Sequence, residues 1–270
     1  MGAMSEPVRP IEVIRVDRAT QIEGADRVAV EEPLEIRLHG RPFAVVMRTP
    51  GADRELAAGF LLSESVIAGP DDLGTIAYCQ DAENVLNVTL AGQAGDRLEE
   101  VLSSRRQVTM NSSCGLCGRL TIESLTVDRP PVRGTLSIAP AMLVSLPERL
   151  RAAQRLFDET GGLHAAGLFA ADGQLAAVAE DVGRHNAVDK VVGRMVLAES
   201  LPVGDRVLCV SGRTSFEIVQ KAYLAGIPIV AAVSAPSSLA VDLARDAGVT
   251  LVGFVRGLTF NVYAHPERIV

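Results

Sequence analysis

The sequence predicts an α/β chain, α+β over its whole length, on three observations. Residues 206–254 alternate strand-like and helix-like stretches, a pattern that calls for a parallel portion of sheet with right-handed crossovers. Ahead of residue 134 the apolar residues fall mostly at strand spacing, punctuated by turn residues. The chain has 270 residues, 48% of them apolar, enough to fill one large core or two small ones. Two units are expected: a smaller strand-rich N-terminal region over residues 1–134 and an α/β domain over 135–270.

In the first region Glu32–Leu38 alternates, His39-Gly40-Arg41-Pro42 turns, and Phe43–Met47 returns, a hairpin pattern. Asp53–Val66 carries apolar residues at helical spacing and stops near Gly69-Pro70. Thr75–Cys79 and Asn84–Leu90 read as strands, residues 103–119 as a Ser/Arg-rich segment, and Thr126–Gly134 as a connector. In the second region Ser145 and Glu148 have the spacing of a capping box. Leu146, Leu150, Ala153 and Phe157 would follow on one helix face, with Gly161-Gly162 at the stop. Leu163–Ala170 and Gln174–Val182 flank an Asp172-Gly173 turn and predict a second hairpin. His185–Ala198, Ser215–Ala225 and Ser237–Ala247 read as helices. Arg206–Val210, Pro228–Val233 and Val249–Phe254 read as the strands between and after them.

Trp is absent and aromatics are 4% of residues, so the core must be mainly aliphatic. A net charge of −7 argues against a general nucleic-acid partner, while a local basic patch could still hold a phosphate. No apolar run is long enough to cross a bilayer, and no charged-then-apolar leader opens the chain. The expectation is a cytoplasmic protein with no membrane partner. Four cysteines, Cys79, Cys114, Cys117 and Cys209, do not make a secreted disulfide framework in a chain this long.

Two of them stand two residues apart in Ser113-Cys114-Gly115-Leu116-Cys117-Gly118-Arg119, with Arg105 and Arg106 upstream. Nearby cations favour a thiolate, and flanking glycines leave its sulfur accessible. Four readings stay open: a zinc site, for which a second ligand pair is lacking; a redox pair, which usually opens a helix of an early βα unit; two ordinary loop cysteines; and covalent sulfur or thioester chemistry. The signature of a zinc deaminase does not fit, because the His265-Pro266-Glu267 triplet follows the cysteines and Ser113 stands where proline is required.

Further candidates lie at the predicted carboxyl edge of the parallel strands, where ligands gather in open sheets. The loop Ser211, Gly212, Arg213, Thr214, Ser215 joins a strand to a helix. It combines a helix N-terminus, a glycine and a cation, which suits a phosphate, while the plainer alternative is that Thr214 or Ser215 merely caps the helix. Ser234–Ser237 repeats this without a cation, and Phe254–Thr259 should reach the same edge. Glu180–Asn186, with Asp189 and Lys190, reads chiefly as capping and solvated pairing, the alternative being an acid/base cluster around His185. His164 is either a site residue or a bonded core histidine.

Taken together, Ser112–Gly118, Thr160–Ala166, Glu180–Lys190, Ser211–Glu217 and Phe260–Tyr263 resemble, in order, the motifs of the formate dehydrogenase accessory sulfurtransferases (FdhD/NarQ type). The resemblance implies a sulfurtransferase that takes persulfide sulfur from a cysteine desulfurase. It would pass that sulfur to the bis-molybdopterin guanine dinucleotide molybdenum cofactor, bound as substrate through its guanine nucleotide, for formate dehydrogenase. Cys114 matches the persulfide-bearing residue and Cys117 the second thiol. Part of the cofactor site is carried onto Phe254, Val255, Arg256, Gly257, Leu258 and Thr259, with no metal ligands. The resemblance also implies a homodimer and a cytidine-deaminase-like three-layer α/β/α fold for the C-terminal domain. Two other functions compete: a cofactor-binding chaperone that does no covalent chemistry, and a thiol-disulfide oxidoreductase.

Overall fold

His39 and Gly40 both adopt positive φ, 49° and 80°, the backbone that a two-residue hairpin turn requires. They join β3 (Glu32–Leu38) to β4 (Arg41–Arg48) as the sequence predicts. In the computed structural model the described residues are 6–18, 20–103 and 129–270. Ahead of β3 lies a hairpin that the sequence reading did not assign, β1 (Val8–Asp17) and β2 (Thr20–Ala29), paired from Val8↔Ala29 to Asp17↔Thr20. After β4 come α1 (Asp53–Ser63), β5 (Leu73–Tyr78), β6 (Val85–Leu90) and the short helices α2 (Gly92–Asp96) and α3 (Leu98–Ser103). The four strands order as β4-β3-β6-β5.

The rest forms a six-stranded sheet, β12-β11-β10-β9-β7-β8. Its strands are β7 (His164–Phe169), β8 (Leu175–Asp181), β9 (Val207–Val210), β10 (Ile229–Ala232), β11 (Thr250–Arg256) and β12 (Thr259–Ala264). β9, β10 and β11 are parallel, as expected, while β7, β8 and β12 each pair antiparallel with their neighbours. β7, β9, β10 and the first half of β11 are buried on both faces, and successive side chains serve different layers. Val207, Cys209, Ile229 and Ala231 meet Leu143, Leu146 and Leu150 of α4 (Pro140–Ala152). Leu208, Val210, Val230 and Ala232 face a second core shared with α6 (Arg184–Leu197), α7 (Phe216–Leu224) and α8 (Ser238–Asp246). The result is three layers, α/β/α.

The second core continues through α6 into α1 and on to Leu34, Ile36, Leu86 and Val88 of the four-stranded sheet. Glycines let the two helices touch. A Cβ at Gly193 would stand 2.6 Å from Gly59 N and 2.7 Å from the Glu55 carbonyl carbon. One at Gly59 would stand 2.6 Å from the Asp189 carbonyl carbon. The boundary placed at 134/135 falls within the extended stretch leading to α4.

One helix starts elsewhere than predicted. Ser145 does not cap; it lies inside α4 and donates its hydroxyl to the Met142 carbonyl at 2.7 Å. The helix begins at Pro140, whose missing N–H costs nothing at a first position. It ends after Ala152, and a separate α5 (Arg155–Thr160) follows, closed by Gly161 in the left-handed region. The Ser-x-x-Glu spacing was therefore a coincidence of residues within a helix already under way.

Candidate functional site

Three parallel strands and one antiparallel neighbour bring the singled-out loops to one edge of the sheet. Ser211, just past β9, donates its N–H to Ala165 O at 3.0 Å, and its hydroxyl oxygen accepts from Ala165 N at 2.8 Å. This seats it beside His164, which pairs with Asp181 across β7 and β8. The neighbouring loops are laced together. Thr214 N donates to Ala235 O, Ser237 N to Thr214 O, Phe254 N to Ser234 O, and Arg256 Nε to Val233 O at 3.1 Å. The segments 161–164, 180–186, 211–215 and 254–259 thus share an edge, as the topology of an open α/β sheet favours.

At that edge a cleft of about 540 Å³ opens on the α4 side, the size of a small-ligand pocket. Arg151, Gln154, Phe157, His164, Ser211 and Val233 are among its walls. The Arg151 guanidinium lies over the Phe157 ring, 4.6 Å from its centroid, and pairs with Asp158 at 2.6 Å. Phe157 is fixed from behind: the Glu180 carboxylate accepts from Leu156 N at 2.9 Å and Phe157 N at 2.8 Å, binding the first turn of α5. Burial and the Arg184 cation hold His164 below the ordinary histidine range, against the pull of Asp181. An aromatic ring, a guanidinium, a buried amide and a largely uncharged imidazole make a wall suited to a flat heterocycle.

Of the predicted residues, Ser211 lines this cleft. Gly212 packs against His164, where an added Cβ would stand 3.4 Å from Nδ1. Arg213 is exposed, Thr214 buried, and Ser215 precedes α7 without a capping hydrogen bond of its own. Phe254–Thr259 forms the turn from β11 to β12, beside the cleft and not among its walls. Within it Val255 is buried in the α4-side core, while Leu258 is 89% exposed. Arg256 reaches back to Val233, which is a cleft residue. Cys114 and Cys117 lie outside the described residues. Cys209 sits in the core, where burial pushes its thiol up to about 12, far from thiolate reactivity.

Sequence reasoning missed two buried networks. Glu180–Lys190 was expected mainly to be solvated; the structure buries its pairs. Asp181, fully buried, lies 2.7 Å from Lys190 Nζ and accepts from Thr49 N, Gly183 N and Asn186 Nδ2. Lys190 also donates to Thr49 O at 2.8 Å, and Asn186 to Met47 O at 2.7 Å, so this motif clamps β4 and the chain beyond it. The second network joins Ser63, Asp189, Lys221, Glu217, His185 and Ser215 by contacts of 2.8–3.3 Å. Burial pushes the Asp189 carboxyl up and the Lys221 ammonium pulls it back. Burial opposes the Lys221 charge, but the Asp189 and Glu217 carboxylates together outweigh it and hold the ammonium charged; without the cation two anions would stand buried together. The hint in the sequence was Glu217-x-x-x-Lys221 on a helix whose other residues, Gln220 apart, are apolar or aromatic.

Residues 29–270 match the FdhD/NarQ family. The sulfur carrier protein FdhD of Streptomyces avermitilis is 52% identical over 280 residues, covering 100% of this chain and 97% of its own. That of Anaeromyxobacter dehalogenans strain 2CP-1 is 52% identical over 259 residues, covering 90% and 88%. A crystal structure from Desulfotalea psychrophila, described as a formate dehydrogenase accessory protein, superposes with a TM-score of 0.78 at 27% identity. The match covers 97% of this chain and 99% of that one.

Proposed function

This chain belongs to the FdhD/NarQ family, and on that premise we propose that it is a cytoplasmic sulfur carrier for formate dehydrogenase. It takes sulfur from a cysteine desulfurase onto Cys114 and hands it to the molybdenum cofactor. The observation that carries the placement of that substrate is the convergence of Thr160–His164, Glu180–His185 and Ser211–Ser215 on one edge beside a nucleotide-sized cleft.

The donor set fits a guanine nucleotide end. Arg151 over Phe157 offers a stacking plane, Gln154 an amide, and His164 a largely uncharged ring. Arg213 and Arg256, both exposed at the rim, can offset pyrophosphate charge in an otherwise acidic protein. The turn from Phe254 to Thr259 then serves the outer part of the cofactor, with Gly257 allowing close backbone approach.

The sulfur chemistry follows from thiol exchange. The Cys114 thiolate attacks the outer sulfur of the donor's persulfide; that S–S bond breaks and the donor leaves as a thiolate. Cys114 now carries the outer sulfur as a persulfide. Attack by the Cys117 thiolate on the inner sulfur would release the outer one as hydrosulfide to the acceptor and leave a Cys114–Cys117 disulfide, which a cellular thiol reductant resets. A homodimer is the assembly in which we place this cycle.

Isothermal titration with GDP as the probe tests the cleft. The parent chain should bind it, and Arg151→Ala should weaken binding about tenfold through loss of the stacked cation. No binding by the parent chain would overturn the cofactor placement.

A further inference from the structure

Gln154 is 3% exposed, yet it is a wall of the cleft, and its side-chain amide has no hydrogen-bond partner among the described residues. Its backbone is pinned between α4 and α5: the N–H donates to Arg151 O at 3.2 Å and the carbonyl accepts from Asp158 N at 3.1 Å. It holds the N-cap position of α5, from which a polar side chain commonly turns to the free N–H groups of its helix. Here Glu180 takes that task, accepting from Leu156 N and Phe157 N. The Gln154 amide is left uncommitted at the cleft wall. A buried amide without a partner is costly, so chains keep one chiefly where something else meets it.

The other polar walls share its neutrality. Among the described residues that line the cleft, Arg151 alone carries a full charge, and Asp158 already balances it. His164, held largely uncharged, also has no hydrogen-bond partner among the described residues. Ser211 accepts through its oxygen from Ala165 N and keeps its hydroxyl hydrogen to donate. Neutral donors and acceptors beside an aromatic ring suit a nucleobase, whereas a phosphate group would find no unbalanced cation among these walls.

We infer that Gln154 is a specificity-determining residue of this cleft, which reads the edge of the guanine ring where O6 stands beside N1–H. This rests on the cofactor-binding reading above and deepens it. A carboxamide carries a donor and an acceptor side by side, so it pairs at two points with an edge that offers an acceptor beside a donor. The O6/N1–H edge has that order, the amide nitrogen donating to O6 and the amide oxygen accepting from N1–H. The edge formed by N1–H and the 2-amino group offers two donors, and that of N7 and O6 two acceptors. Neither matches both halves of the amide. The remaining edge, at N3, is crowded by the ribose.

Titration calorimetry on the full chain with GDP, IDP and O6-methyl-GDP tests this. IDP keeps O6 and N1–H and lacks the 2-amino group, while O6-methyl-GDP blocks O6 and loses the N1 proton. The parent chain should bind O6-methyl-GDP about 10- to 30-fold more weakly than GDP, the worth of two neutral hydrogen bonds, and IDP within about threefold of GDP. Gln154→Leu should weaken GDP by the same factor as the methyl group does, and leave O6-methyl-GDP binding unchanged. Equal weakening of both ligands by the variant is the mark of a structural role and would overturn the inference alone. Equal affinity of the parent chain for GDP and O6-methyl-GDP would do so too, whether or not the variant folds. A loss confined to IDP would also overturn it, by assigning the reading to the 2-amino group. A parent chain that binds no GDP would remove this inference and the cofactor reading together.

Discussion

Replacing Gly193 by alanine sets two effects of opposite sign against each other. In a helix interior alanine is favoured over glycine by about 1 kcal/mol, so propensity alone predicts a more stable protein. At the crossing of α1 and α6, however, the new Cβ would stand 2.6 Å from Gly59 N and 2.7 Å from the Glu55 carbonyl carbon, both backbone atoms. The Glu55 carbonyl oxygen is nearer still, so ordinary contact needs α1 to retreat by about 1.5 Å, and backbone cannot rotate aside as a side chain can. Overpacking of this kind costs about 3 kcal/mol at the upper end of its usual range. The net expectation is a loss of about 2 kcal/mol, or a Tm lower by about 4–8 °C in a chain of this size. Differential scanning calorimetry of Gly193→Ala beside the parent reads it directly. A Tm equal to or above the parent's would show that propensity wins and that the helices are not in backbone contact there.

The remaining predictions concern the buried charges. Lys221→Met leaves Asp189 and Glu217 as neighbouring buried carboxylates and should cost about 3–5 kcal/mol in denaturant unfolding. The double variant Lys221→Met with Asp189→Asn should recover part of that loss, and a single variant within 1 kcal/mol of the parent would contradict the pairing. His185 supplies a pH signature. Its folded pKa lies near 3, below the ordinary 6.5, so beneath pH 6.5 the unfolded chain takes a proton that the folded chain refuses. The stability is full above about pH 7.5 and falls as the pH drops toward 3, by about 2 kcal/mol between 7.5 and 5. His185→Gln should remove that part of the pH dependence; an unchanged slope of unfolding free energy against pH would rule out a neutral buried imidazole.

Much of the frame was legible because its signals are local. His39-Gly40 specified a tight turn between alternating runs, and the β9–α7–β10–α8–β11 crossovers announced themselves by length and period. Gly161 ended a helix where expected. What failed did so for identifiable reasons. Ser145 and Glu148 mimic a cap that Pro140 had already made unnecessary. β1 and β2 form a ribbon that leaves Ile14, Val16 and Ile22 more than 60% exposed, so burial imposed no clear alternation on their sequence. Of the candidate site, the segments that meet at the sheet edge could be named from topology. The cleft walls contributed by α4 and α5, Arg151 and Phe157, could not, since nothing in the sequence places those helices over the edge. The buried line from Ser63 to Ser215 was illegible for a different reason: Ser63 and Asp189 are 126 positions apart, and only the α1–α6 crossing brings them together.

The central claim is that Cys114 carries sulfur. Intact-protein and peptide mass spectrometry after incubation with a cysteine desulfurase and free cysteine tests it, with Cys114→Ala and Cys117→Ala run beside the parent chain. The account predicts one added sulfur atom on Cys114, labile to reductant, absent from Cys114→Ala and still formed in Cys117→Ala. No added sulfur on the parent chain with a competent donor would contradict it, and would favour a cofactor-binding chaperone that does no covalent chemistry.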